Sequence, residues 1–190
     1  MHATLVSLWL PILLSTVAVF IVSSLIWTVI GWHNSDWKKL PDEEKAREVL
    51  RGTPHGQYSV PYARDGKAKQ DPEWLEKVRE GPAMMVTVWE GDPTKMGKQL
   101  VQWFIYILVI TTLLAFVASK LVHLGSSYMI VFHHFLITGT LTYSGAHAMG
   151  AIWFGHSWTR TLKDIVDGII YAAVTAGFFG WLWPSVPVSG

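Results

Sequence analysis

The chain has 190 residues, 51% of them hydrophobic, with no cysteine and only 15 basic and 14 acidic side chains. A net charge of +1 provides no broad basic field for nucleic acid, and a chain without cysteine holds no disulfide framework, thiolate nucleophile or thiolate metal site. Twelve of the basic and 12 of the acidic residues fall between His33 and Lys98, so the charge cannot cover a water-exposed globule, whose surface carries mixed charges throughout. The composition predicts a membrane protein.

About 20 helical residues cross 30 Å of hydrocarbon, and four stretches qualify. The first runs from Leu5 to Ile30 without a charge, within a segment 1–32. Pro11 suits a helix start, where a missing amide hydrogen costs nothing. The first four residues contain no lysine or arginine and no small-residue cleavage site follows, so the helix is read as uncleaved.

Residues 33–98 form a soluble insert. Pro41-Asp42-Glu43-Glu44 opens a helix that ends near Arg51-Gly52, and Asp71-Pro72-Glu73 opens another that stops at Gly81-Pro82. Gln57 to Tyr62 and Met84 to Glu90 have the β-branched and aromatic content of short strands that pair as a ribbon. So small a unit needs the membrane surface or a partner to stay ordered.

Segment 99–190 carries the other three spans. Gln99 to Ser119 lies between Lys98 and Lys120, whose amines can reach the two surfaces. Tyr128 to Trp153 is uncharged but contains His133, His134 and His147. The last runs from Asp164 to Trp183 and is stopped by Pro184 and Pro187, with Asp164 and Asp167 placed among the head groups. With four spans, lysine and arginine divide 14 against 1, which puts the insert in the cytoplasm and both termini outside. Tryptophans agree: Trp27, Trp32, Trp37, Trp103, Trp153 and Trp158 fall at the inner edge, and Trp9, Trp181 and Trp183 at the outer.

Gly168, Ala172, Ala176 and Gly180 recur every four residues, a spacing that lets two helix backbones approach closely in lipid. The neighbour is either another subunit or the third span, which offers Gly139, Ser144, Ala148 and Ala151. His133 and His147, 14 residues apart, would share one face of a continuous helix about 21 Å apart. That spacing suits two axial ligands of haem or chlorin, but no other span contains a histidine to complete either pair, which leaves His33 and His156 near the inner edge and His123 near the outer edge as the candidates. Hydrogen bonding inside the bundle is the plainer role for both. Adjacent His133 and His134 diverge by about 100° and cannot share a metal, and no HExxH or Glu-x-x-His pattern supports a metal site. Lys163, Asp164 and Asp167 read either as a proton or ion relay or as an acid-rich helix start with a Lys163–Asp167 pair.

Several blocks carry a resemblance. They are Ser7-Leu8-Trp9-Leu10-Pro11-Ile12, Ser35-Asp36-Trp37, Leu40-Pro41-Asp42-Glu43, Gly56-Gln57-Tyr58 with Pro61, Met96-Gly97-Lys98 and Gln102-Trp103-Phe104. The last third adds Trp158-Thr159-Arg160-Thr161-Leu162-Lys163-Asp164, Asp167-Gly168-Ile169-Ile170-Tyr171 and the run from Thr175 to Pro184. In these the chain resembles a family of uncharacterised bacterial inner-membrane proteins, which implies a membrane protein and no known activity.

The expectation is an all-α membrane protein: four transmembrane helices with a small α+β cytoplasmic insert between helices one and two. Its partners are the lipid bilayer and other membrane subunits, and its role is that of a non-enzymatic accessory subunit in a photosynthetic or respiratory type of complex. Two alternatives stand beside it, a haem- or chlorin-binding protein using His133 and His147, and a small transporter.

Overall fold

The structure is a computed structural model that describes residues 1–186, so Pro187 lies outside the described residues. The chain forms two compact units, one of Met1–Lys38 with the segment from Gly97 onward and one of Lys39–Met96.

A 3₁₀ turn at Val6–Leu8 leads into α1 (Trp9–Leu25), which passes through a π-helical turn at Ile26–Ile30. Pro11 is therefore the third helical residue and not the first, a position whose amide would still lack an intrahelical partner. Gly31 ends the helix with φ +62°, a left-handed conformation that a side chain resists. A second 3₁₀ turn, Trp32–Asp36, follows.

In the second unit, α2 (Glu43–Leu50) starts at Asp42, whose carboxylate accepts the Lys45 amide, and α3 (Pro72–Glu80) starts at Asp71, which accepts the Glu73 and Trp74 amides. Strands β1 (Gly56–Val60) and β2 (Met84–Val88) pair antiparallel, with Tyr58 opposite Val86 and Val60 opposite Met84. The acid-rich helix openings and the β-branched and aromatic runs foretold these four elements, with Asp42 acting as a cap and not as a first-turn residue.

The first unit resumes with α4 (Gly97–Leu121), α5 (Tyr128–Ser144), α6 (His147–Phe154) and α7 (Trp158–Leu182). Among the described residues three helices are long and apolar enough to cross a membrane: Val6–Ile30, Gly97–Leu121 and Trp158–Leu182, each of 25 residues. At 1.5 Å per residue each exceeds the hydrocarbon thickness of about 30 Å. Their outward stripes, Leu13, Val17 and Ile21 on α1 and Val109, Leu113 and Phe116 on α4, are exposed. Surfaces of this kind are rare in water and ordinary in lipid.

Two expected boundaries differ. The third apolar stretch is not one helix from Tyr128 to Trp153; it breaks at Gly145-Ala146. Glycine there favours interruption, and the Ser144 hydroxyl donates to the Ile165 carbonyl of α7, 2.9 Å away, and not to its own helix. The last helix begins at Trp158, six residues before Asp164, because the Ser157 side chain accepts the Arg160 amide and caps it. Asp164 and Asp167 are thus in its second and third turns, beyond the reach of the helix-start effect.

α7 is the central element, in contact with α1, α5 and α6, while α4 packs on α1 and α5. The small residues of α7 make this possible. A Cβ at Gly139 would lie 2.9 Å from the Ala172 Cβ, and one at Gly180 would lie 2.8 Å from the Tyr128 ring. At Gly168 a Cβ would collide with the Ser144 hydroxyl. Ala172 and Ala176 are fully buried, and below them the Phe135 and Phe179 rings stack 3.9 Å apart. The face of Gly168, Ala172, Ala176 and Gly180 is thus in contact with α5.

Gly168→Leu should lower unfolding stability in detergent by about 1–3 kcal/mol through overpacking. The half-exposed neighbour substitution Ile169→Leu should stay within about 0.5 kcal/mol. Thermal melts of the two variants against wild type check this.

Candidate functional site

The polar atoms of the first unit converge where the chain leaving α1 meets α7. The turn at Gly31 brings His33 under Trp27, whose ring stacks on the imidazole 4.1 Å away and within 4° of parallel, while Trp32 meets it edge-on at 5.9 Å. His33 is only 2% exposed. Its Nδ1 lies 2.7 Å from Asp36 Oδ2, and its Nε2 lies 3.1 Å from Asp167 Oδ2. The spacing of Asp36, one 3₁₀ turn after His33, places the first carboxylate; α7 supplies the second.

Lys163 closes the cluster. Its ammonium donates to Asp36 Oδ1 at 2.6 Å, to the Trp32 carbonyl at 2.7 Å and to the Ser35 hydroxyl at 2.8 Å. All three of its hydrogens are then in use. Burial would raise the Asp36 carboxyl, but the hydrogen bonds from Lys163 and His33 and their charges outweigh it and hold the group below the usual carboxylate range. At the rim, Arg160 sits over the Trp37 ring at 5.2 Å and 3.8 Å from Asp164. Deeper along α7, the Tyr171 ring is 5.9 Å from Tyr143 of α5 and 6.2 Å from Trp103 of α4. The Trp103 Nε1 in turn donates to Ser23 of α1 at 2.9 Å.

The two acids and Lys163 were visible in the sequence as a charged group, but their pairing differs from expectation. Lys163 pairs with Asp36 and not Asp167, and Asp167 pairs with His33. His33 and Asp36 were assigned to the soluble insert. They belong instead to the membrane-helix unit, because a cluster 127 to 134 residues apart in sequence holds them there. The signal that would have found them is the run of polar residues directly at a span end, where unpaired charge is costly.

The other candidates lie elsewhere. His133 is exposed on α5, with its ring beside Phe132, and His147 is exposed at the start of α6, where its Nε2 donates to the Tyr143 carbonyl at 3.0 Å. The break at Gly145-Ala146 separates them, so the shared face of one continuous helix does not apply. Among the described residues no group of three His, Cys, Asp or Glu side chains is placed to hold a metal ion. Comparison of the chain with protein-family models, curated protein sequences and solved structures found no match.

Chemically the cluster can anchor residues 31–38 to α7 and can hold charge and protons out of water. Lys163→Ala should cost about 1–3 kcal/mol, because Asp36 keeps its burial and loses its main donor. The Asp36 carboxyl is depressed in the folded state, so its contribution is complete above the unfolded value of about 3.9 and is lost as pH falls through the lower folded value. Melts across acidic pH should therefore show a loss of stability in wild type that Asp36→Asn lacks.

Proposed function

We propose that the chain is a non-enzymatic integral subunit of the bacterial inner membrane that packs against helices of a larger complex of photosynthetic or respiratory type. The observation that carries this reading is the division of its apolar surface. The small-residue face of α7 is spent on α5, while large aliphatic and aromatic side chains such as Trp9, Phe116, Trp153 and Trp181 point outward. Aromatic anchors of that kind suit contacts with neighbouring membrane helices as well as the lipid interface. The charged groups His33, Asp36, Lys163 and Asp167 are engaged with one another, which favours a structural role for them over a catalytic one.

In this reading α5 and α6 together make a fourth crossing. α5 alone, with 17 residues, reaches about 25 Å, and α6 supplies the remainder. The insert is cytoplasmic and the termini lie outside, as the distribution of lysine and arginine favours.

Extraction in mild detergent followed by sizing and mass spectrometry should find the chain with other membrane proteins; migration as a lone monomer contradicts the proposal. A Soret or chlorin band in the purified material would favour ligation by His133 and His147 instead. For the threading, single cysteines are introduced at Ala63, Ser127 and His156 in the cysteine-free chain. Those at Ala63 and His156 should react from the cytoplasmic side and that at Ser127 from the opposite side. Equal labelling of Ser127 and His156 from one side rules out the fourth crossing.

A further inference from the structure

Both ring nitrogens of His33 face carboxylate oxygens, Asp36 Oδ2 through Nδ1 and Asp167 Oδ2 through Nε2. A neutral imidazole has one N–H and one lone pair. Lys163 already neutralises Asp36, and a neutral ring that carries its hydrogen on Nδ1 completes that carboxylate's second oxygen. The lone pair of a neutral ring would then point at the Asp167 carboxylate, two acceptors 3.1 Å apart and out of water. That arrangement is repulsive, and one proton between the two atoms removes the repulsion.

We propose that His33 and Asp167 form a proton-binding site, in which one proton is held between His33 Nε2 and Asp167 Oδ2. With the proton on nitrogen the cluster contains two cations and two anions. On transfer the N–H bond breaks, its electron pair stays on the ring and an O–H bond forms on Asp167. This leaves Lys163 and Asp36 as the only charges of the four residues. The sum is zero in both forms, so the transfer moves no net charge into the apolar interior.

The surroundings suit such an exchange. Trp27 covers one face of the ring, and among the described residues no cation but Lys163 bonds to the cluster. The remaining titratable groups nearby are Asp164, paired with Arg160 at the rim, and Tyr171 and Tyr143 on the deeper side. Asp167 Oδ1 and the Tyr143 hydroxyl are buried and have no hydrogen-bond partner among the described residues.

The test uses the full-length protein in detergent or lipid discs at about pH 7.5, a unit above the ordinary imidazole value of about 6.5. Nitrogen-15 spectra of labelled histidine, assigned with His33→Gln, report the protons on the ring. Infrared spectra of carbon-13 aspartate report a protonated carboxyl. The proposal expects either two protonated nitrogens on His33 or a protonated carboxyl that Asp167→Asn removes, and a loss of that one proton per chain in Asp167→Asn. In that variant the new amide can donate to Nε2, so the ring keeps a partner. A wild-type spectrum with one protonated His33 nitrogen and every aspartate ionised overturns the proposal, and it does so whether or not the variant folds.

Discussion

A polar atom carried into apolar surroundings must find its partner within the protein, and that requirement organises the membrane-helix unit. An unsatisfied buried group costs about 1–3 kcal/mol and more when charged, so each one present constrains the packing around it. Thr16 of α1 meets Thr111 of α4, hydroxyl to hydroxyl at 2.8 Å. Ser23 accepts Trp103, and Ser144 donates to α7 at Ile165. At the end of α1 the same rule operates on full charges, and His33, Asp36, Lys163 and Asp167 pair with one another. These bonds tie helices distant in sequence, where apolar contact alone gives little preference between lipid and protein.

Close packing supplies the geometry that the polar pairs need. Gly168 carries no side chain, so Ser144 can approach α7 closely enough to reach the Ile165 carbonyl. One position before it, Asp167 faces His33. The small-residue spacing on α7 and the acid beside it therefore act together: the glycine admits α5 and the aspartate holds the chain that leaves α1.

Much of this was legible in the residues. Charge confined to the 33–98 segment marked out the apolar stretches, and the Asp42 and Asp71 caps and the β-branched runs marked the insert's helices and strands. The small-residue face on α7 was legible as a contact surface, but its partner was not, since α5 and a second subunit offer the same chemistry. The break at Gly145-Ala146 was not read, because the uncharged run from Tyr128 to Trp153 continues through it. The start of α7 at Trp158 was not read, because the charged residues from Arg160 to Asp167 hid the first two turns from a search for apolar runs. The His33 cluster depends on pairings over more than 120 positions, and only the cost of leaving charge at a span end pointed to it.

The most direct measurement is a double-mutant cycle between His33 and Asp167, using His33→Gln, Asp167→Asn and the pair, read as unfolding free energy in one detergent. If buried polar pairing ties the end of α1 to α7, the two substitutions will be non-additive, with a coupling of about 0.5–3 kcal/mol. Additive effects, with no coupling beyond about 0.3 kcal/mol, would mean that the two residues do not act on each other and would contradict the account.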